Sequence, residues 1–537
     1  VGYLPLAIRL LAGRLRSRPT WTIEDLVAEL AAAKDRSAAI RAENVIVGAV
    51  FDLSFNALPE PLKPLFRSLG LYPGVDFGVP TVAALAGTAE DEVRRGLDVL
   101  YDDHLVSEPT RGRFRLHDLV RDYARGLAQP EESHAAMTRL LAYYLDTADT
   151  AGRLLRGRAV GTAGGHLLTR ADAVAWLDAE LPNLVATIEH TAATHGTTAA
   201  RLSHLLVSYL ARNGHWGQAI TLYETAHRAA KGAGDRQAEA DALLDLGIMH
   251  RYRGQYGTAE SCLTEALAGY EQLGDRSGRA VSLAQISVVH RMLGEYRVAL
   301  SFSSQALELF RTVGDRYWTA NMLSEIATVR ALLGEHEAAR QSAIAAVPVC
   351  RAINDRVLES AALRTLGVVE WRGGRLDDAE ATLNDALRLA RETGYRVGEA
   401  DALHNLGIVL RLTGQPEPAR ALSMNALELF AELGDIRGQA SALNELGTQA
   451  REDDPAEARR QHVLALRLAH SITNRRQEAR AWEGIGRSLV AAGDVRGGVR
   501  RLRRALEFLR RLEDHDWRSV DALLVELEGG RLDGTHH

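Results

Sequence analysis

At 537 residues the chain exceeds what one compact core supports, because single cores stop growing near roughly 250–300 residues and longer chains divide or repeat. A net charge of −6 gives no electrostatic footprint for nucleic acid, and the two cysteines, Cys262 and Cys350, match neither a disulfide framework nor a metal knuckle. No apolar run of about 18 residues and no signal-peptide pattern is present, so the sequence points to a cytoplasmic protein with no membrane contact.

The chain opens on Val1-Gly2-Tyr3-Leu4-Pro5 without an initiator Met, which reads as a piece of a longer polypeptide. Apolar spacing through Ile8, Leu10, Leu11 and Leu15 predicts a helix with its Pro near the first turn, where the missing donor is tolerated. A second helix is expected from Thr22, with Asp25 three residues on completing a capping box. These elements form a helical segment over residues 1–42.

Residues 43–130 read as a compact helical bundle through Phe51-Asp52-Leu53-Ser54, Leu65-Phe66, Val82-Ala83-Ala84-Leu85 and a helix over Glu90 to Tyr101. Leu105-Val106-Ser107-Glu108 and Phe114-Arg115-Leu116, joined by a turn at Thr110-Arg111-Gly112, pair as a short hairpin. Three helices and a hairpin make a winged helix. Its third helix carries Glu90, Asp91, Glu92, Asp98, Asp102 and Asp103 against Arg94 and Arg95, a face that repels phosphates, so direct nucleic-acid binding is not expected.

The run Leu116-His117-Asp118-Leu119-Val120-Arg121-Asp122-Tyr123 completes a constellation that resembles the signal-transducing ATPases with an NB-ARC module. The resemblance implies that Gly2 and Pro5, at the start of the small helical segment, and His117 and Asp118, at the end of the winged helix, face a bound ADP or ATP in a longer parent. It implies an intramolecular NTPase core as one partner. This chain itself contains no Gly-x-x-x-x-Gly-Lys-Ser/Thr, so it is read as neither an enzyme nor a holder of a cofactor by itself. A slow ATPase whose phosphate loop lies upstream is the alternative, and a hydrogen-bonded structural histidine is the other reading of His117.

Residues 131–198 form a helical linker. A helix is expected over Ser133 to Leu155, then a mobile Gly-rich stretch over 156–165, then Ala175-Trp176-Leu177-Asp178-Ala179-Glu180-Leu181-Pro182-Asn183-Leu184, in which Pro182 should end one helix and Asn183 begin the next.

From 199 to 530 the sequence repeats. Gly214, Gly254, Gly294, Gly334, Gly374 and Gly414 stand in a register of 40, and Gly234, Gly274, Gly314, Asn354, Gly394 and Gly434 in a second register offset by 20. Asn is the commonest non-Gly residue in the left-handed conformation that ends a helix, so both registers mark helix stops. Small residues recur where two helices approach closely: Gly247, Gly367, Gly407 and Gly447 in the first helix of each pair, and Ala219, Ala259, Ala299, Ala339, Ala379 and Ala419 in the second. A further series, Ala226 through Ala426 to Ala465 and Ala505, counts about eight helix hairpins and betrays a one-residue deletion near Asp453-Asp454-Pro455. His250 and His290 recur at a packing position.

These Leu-Gly pairs, Gly-led turns and paired alanines resemble the tetratricopeptide repeat, with a period of 40 in place of 34. The expected fold is therefore mainly all-α: a winged-helix-like module followed by a tetratricopeptide-type α-solenoid. Such an array has no closed pocket of its own and binds a protein or peptide on the concave face of its first helices. One column on that face reads Arg251, Arg291, Ala331, Trp371, Arg411 and Arg451, an arginine ladder suited to clamping carboxylates, with Trp371 as an apolar anchor. Arginines that merely snorkel over neighbouring helices are the plainer reading. Taken together, nearly the whole chain resembles actinobacterial regulators of the AfsR type, which implies that the array acts as sensor and autoinhibitor. A nucleotide-independent scaffold is the remaining alternative.

Overall fold

The computed structural model describes residues 45–155, 167–212 and 216–533, with a few positions before residue 45. Gly2, Pro5, Gly214 and the stretch 156–165 lie outside the described residues. Thr22 and Asp25 make the reciprocal bonds of the capping box: the Thr22 amide donates to Asp25 Oδ2 at 2.9 Å, and the Asp25 amide donates to Thr22 Oγ1 at 3.2 Å. Two compact units result, residues up to Tyr209 with Thr225–Asp235, and Leu210–Glu224 with Arg236 onward.

In the first unit, α1 (Val45–Ala57) leads through a short turn to α2 (Lys63–Leu71), α3 (Val79–Ala86) and α4 (Glu90–Asp102). Proline in the opening turns of α2 and α3 costs no helical bond there, and Gly87, at φ 73°, stops α3 in the left-handed region. Then β1 (Val106–Thr110) pairs antiparallel with β2 (Arg113–Leu116), aligning Val106 with Leu116. Phe77 bridges Phe114 on the other edge through paired 2.9 Å backbone bonds. Phe66, Leu69, Leu85, Leu97, Leu100 and Leu116 fill the centre. This is the winged-helix arrangement. α5 (Asp118–Gly126) lies against α2 so closely that a Cβ added at Gly70 would sit 2.4 Å from the Arg125 nitrogen.

α6 (Pro130–Leu155) is followed by α7 (Arg170–Thr191), which corrects one expectation: Pro182 lies inside a single continuous helix and does not divide it. Proline removes one backbone donor and costs roughly 3 kcal/mol in a helix interior. Tertiary bonds on the same turn offset that cost. Asn183 Oδ1 accepts from the Val75 amide at 2.9 Å, Asn183 Nδ2 donates to Glu180 Oε2 at 3.0 Å, and Glu180 pairs with Arg113, which also holds Asp76. Tyr144 donates to Glu180 Oε2 at 2.9 Å and shares a 2.8 Å bond with Tyr72. Burial and the Glu180 charge push both tyrosines up, so both phenols stay protonated. The unit continues through α8 (Gly196–Leu205) and α9 (Val207–Arg212).

After α10 (Trp216–Ala233), the second unit is built of antiparallel pairs. They are α11 (Arg236–Tyr252) with α12 (Tyr256–Leu273), α13 (Arg276–Leu293) with α14 (Tyr296–Val313), and α15 (Arg316–Leu333) with α16 (His336–Ala352). Next come α17 (Arg356–Arg372) with α18 (Leu376–Glu392), α19 (Arg396–Leu412) with α20 (Pro416–Glu432), α21 (Ile436–Ala450) with α22 (Pro455–Ser471), and α23 (Arg475–Ala491) with α24 (Val495–Arg511). α25 (Trp517–Asp533) packs on the last pair. No strand occurs among the described residues of this unit.

The stops are physical. Gly274, Gly314 and Gly434 have φ between 67° and 78°, and Asn354 joins them at 54°. The next residue starts the following helix: Asp275, Asp315, Asp355 and Asp435 each accept a backbone amide of the first turn. The small positions are also necessary, since a Cβ at Gly247 would lie 2.5 Å from Leu263 Cγ, and one at Gly367 would lie 2.6 Å from Leu383 Cγ. Ala219, Ala226, Ala259, Ala299, Ala339, Ala379 and Ala419 are all buried.

His290 is buried as a packing residue, stacked on Phe302 at 5.4 Å with Nδ1 2.5 Å from Glu295. Distant repeats also meet. A Cβ at Gly254 would lie 3.0 Å from the Ile472 carbonyl oxygen, one at Gly294 would lie 2.2 Å from Leu512, and the His515 amide donates to Leu332 at 3.1 Å. The array therefore winds until the turns of its early repeats touch those of its last ones.

Candidate partner-binding face of the repeat array

Successive first helices approach one another, α13 to α15, α15 to α17, α17 to α19, α19 to α21 and α21 to α23, more closely than the second helices do. In a curved array the elements that crowd together lie on the inside. The first helices therefore line the concave side.

The five residues singled out there have different fates. Arg291 Nε reaches Glu325 Oε1 on the next first helix at 2.5 Å, and Arg411 Nε reaches Glu445 Oε1 at the same distance. Both acids are nearly buried, with side chains 12% and 4% exposed. These two arginines brace neighbouring repeats, which is neither an open clamp nor idle snorkelling. Arg251 lies over the Tyr252 ring at 4.2 Å. Trp371 packs on the cluster that includes Leu383, Leu403 and Leu406, with the Arg372 guanidinium 5.1 Å from its ring. Arg451 is half-buried, and its pKa is drawn below the ordinary arginine value by burial and by the like charges of Arg487 and Arg411.

Further polar groups share this face. Gln285 Oε1, Arg251 Nε, Trp371 Nε1 and His404 Nδ1 are buried atoms with no hydrogen-bond partner among the described residues. Such atoms cost about 1–3 kcal/mol each until something pairs with them. The signal for Gln285 was present in the register of 40, since Asp245, Gln285, Glu325, Thr365, Asn405 and Glu445 form a polar column parallel to the arginine column. His404 stands one residue before that column on its own helix. Burial lowers its pKa, keeping it neutral.

In the first unit, His117 and Asp118 are exposed at the start of α5. His117 is the N-cap residue, and its Nδ1 accepts from the Leu119 amide at 3.3 Å. No group of three or more His, Cys, Asp or Glu side chains suited to a metal occurs among the described residues. No helix among them is long and apolar enough to cross a membrane.

Residues 198–272, 247–312, 318–392 and 358–432 match the tetratricopeptide repeat family. The chain is 34% identical over 280 residues to the regulatory protein AfsR of Streptomyces griseus, covering 50% of this chain and 29% of that protein. It is 35% identical over 209 residues to the regulatory protein AfsR of Streptomyces coelicolor, covering 36% and 21%. The chain thus spans under a third of each relative.

Among solved structures, a signal transduction ATPase with numerous domains and a tetratricopeptide repeat sensor from Pyrococcus horikoshii aligns over 97% of this chain and 74% of its own, with a TM-score of 0.59 and 16% identity. A Rap protein complexed with competence and sporulation factor aligns over 69% and 98%, with a TM-score of 0.51 and 13% identity. Those two likenesses establish the fold. The chain carries tetratricopeptide repeats over residues 198–312 and 318–432, and its sequence relatives include AfsR regulatory proteins.

Proposed function

We propose that this chain is the sensor region of a regulator and that the concave face of its repeats takes a peptide segment of a partner. The observation that carries the reading is the set of unpaired buried polar atoms at Gln285, Arg251, Trp371 and His404, spread over the first helices α11, α13, α17 and α19. An extended peptide presents a donor or acceptor at every residue and is the ligand that satisfies groups spaced along such an array. The similarity to AfsR and the fold shared with a Rap protein bound to competence and sporulation factor support the same reading.

Peptides selected from a random display library on the immobilised chain supply the test. Fluorescence anisotropy should show at least tenfold weaker binding to the Gln285→Ala/Trp371→Ala double variant, matching loss of roughly 1–3 kcal/mol of buried hydrogen bonding. Undiminished affinity refutes the assignment.

Within a longer parent, partner binding shifts an equilibrium between closed and open states of a nucleotide-dependent switch in this reading. His117 and Asp118, with Gly2 and Pro5, are assigned to ADP or ATP. The exposed His117 ring spends Nδ1 on its helix cap, leaving Nε2 to donate to a phosphate oxygen. Hydrolysis is not assigned to these residues. His117→Ala in the parent should shorten nucleotide retention, and unchanged retention would leave the cap as the only role of this side chain.

A further inference from the structure

Charge is unevenly distributed along the concave face. Three ion pairs connect successive first helices: Arg291 with Glu325, Arg364 with Asp401 at 3.7 Å, and Arg411 with Glu445. These pairs fix which positions of a first helix look along the face, namely the sixth, ninth, tenth and sixteenth residues. At the sixth position α11 has Asp241 and α19 has Asp401, but α23 has Arg480. The sixteenth position, one past the end of α21, is Arg451.

Neither Arg451 nor Arg480 has a carboxylate within ion-pair distance among the described residues, and both side chains are half-buried. Arg437, in the opening turn of α21, adds a guanidinium that is 52% exposed, with Asp435 3.5 Å away.

The groups around these arginines report the surplus. Burial is the largest reason that His404, His462 and Arg372 hold their protons less tightly than usual, and Arg480 adds to it at all three. Arg451 adds to it at His462. At His404 and Arg372 nearby acids act in the opposite sense, but at His462 the two arginines act unopposed, and a field that disfavours positive charge there favours negative charge in the groove beside it.

We propose that the stretch of the concave face over α21 and α23 recognises acidic residues of the partner peptide, with Arg451 and Arg480 as the carboxylate-binding side chains. The inference rests on the peptide-binding reading above and adds to it the chemistry and the place of the recognised residues. An acidic segment is seated toward the last repeats because two earlier arginines of the face, Arg291 and Arg411, are already committed to Glu325 and Glu445, and Arg251 lies over the Tyr252 ring. Guanidinium groups bind carboxylates through two parallel bonds, which makes the contact specific in geometry as well as in sign.

The test uses two fluorescein-labelled decapeptides of one sequence, identical except that four Glu in one are four Gln in the other, measured by anisotropy on the full chain. The Glu peptide should bind at least tenfold tighter at 50 mM salt, with the preference shrinking at 300 mM. Arg451→Gln/Arg480→Gln should abolish the preference, whereas Arg451→Lys/Arg480→Lys, which keeps the charge, should retain most of it. Circular dichroism checks that each variant is folded. Equal binding of the two peptides by the wild type, or an unchanged preference in the Gln variant, overturns the proposal. Gln285→Ala/Trp371→Ala should weaken both peptides alike, so equal binding of the two sinks the acidic preference while leaving the peptide-binding reading standing.

Discussion

His462 offers a quantitative test of how the repeats pack. In three of the repeats the second helix places Leu263, Leu383 or Leu502 against a glycine of its paired first helix, and α22 places His462 there instead. The ring is 1% exposed and wedged between Gly447 and Gly484, whose added Cβ atoms would fall 2.7 Å and 2.2 Å from it. Asn444 Nδ2 donates to Gln477, so its Oδ1 is free to accept from His462 Nδ1 at 3.0 Å. Nε2 has no partner. Protonating Nε2 therefore creates a buried donor with nothing to receive it, near Arg451 and Arg480, and burial followed by those two charges lowers the pKa to about 4 from 6.5.

The sign follows from proton counting. Between these values the unfolded chain binds a proton that the folded chain refuses, so the stability present above pH 6.5 is lost as pH falls toward 4. The loss is about 2 kcal/mol at pH 5 and roughly 3 kcal/mol when complete. His462→Leu installs the residue type that the following repeat has at Leu502. It should cost about 1 kcal/mol at pH 7.5 through the lost Asn444 bond, yet lose about 2 kcal/mol less than the wild type between pH 7.5 and 5.0. Repeat arrays can unfold in parts, so hydrogen exchange of α21–α23 amides is the appropriate measurement. If the Leu variant loses as much protection on acidification as the wild type, the assignment of His462 is wrong.

Two further outcomes follow from the packing. Gly247→Ala forces Cβ to 2.5 Å from Leu263 Cγ and 3.2 Å from the Ala259 carbonyl oxygen, so overpacking of about 1–3 kcal/mol should exceed alanine's helix advantage and lower the thermal midpoint. Arg113→Ala leaves Glu180, 2% exposed, without its cation and should cost about 3–5 kcal/mol in urea unfolding of the first unit, whereas a loss below about 1 kcal/mol would show that the network does not hold α7 to the hairpin.

The repeat was legible because its causes are local. A left-handed stop needs Gly or Asn, and Gly274, Gly314 and Asn354 announce it without any partner; a helix crossing needs a small residue, and Gly247 and Ala259 stand where the crossing falls. The winged-helix hairpin was legible for the same reason, through a turn at Gly112 between two apolar runs. Pro182 shows where this logic ends. Local preference stops a helix at proline, but the bonds from Asn183 to Val75, 108 positions away, and from Glu180 to Arg113, 67 positions away, are invisible until the chain has folded.

The arginine column shows the same division. Its period of 40 is written in the amino-acid order, and so is the parallel column of Gln285, Glu325 and Glu445. Which arginines remain available to a partner depends on whether an acid of the next first helix lies within ion-pair distance, as Glu325 does for Arg291 and none among the described residues does for Arg451. Helix ends and close crossings are thus set by backbone and steric terms acting within a few residues, whereas ion pairing, burial and the field they create are properties of how the repeats stack.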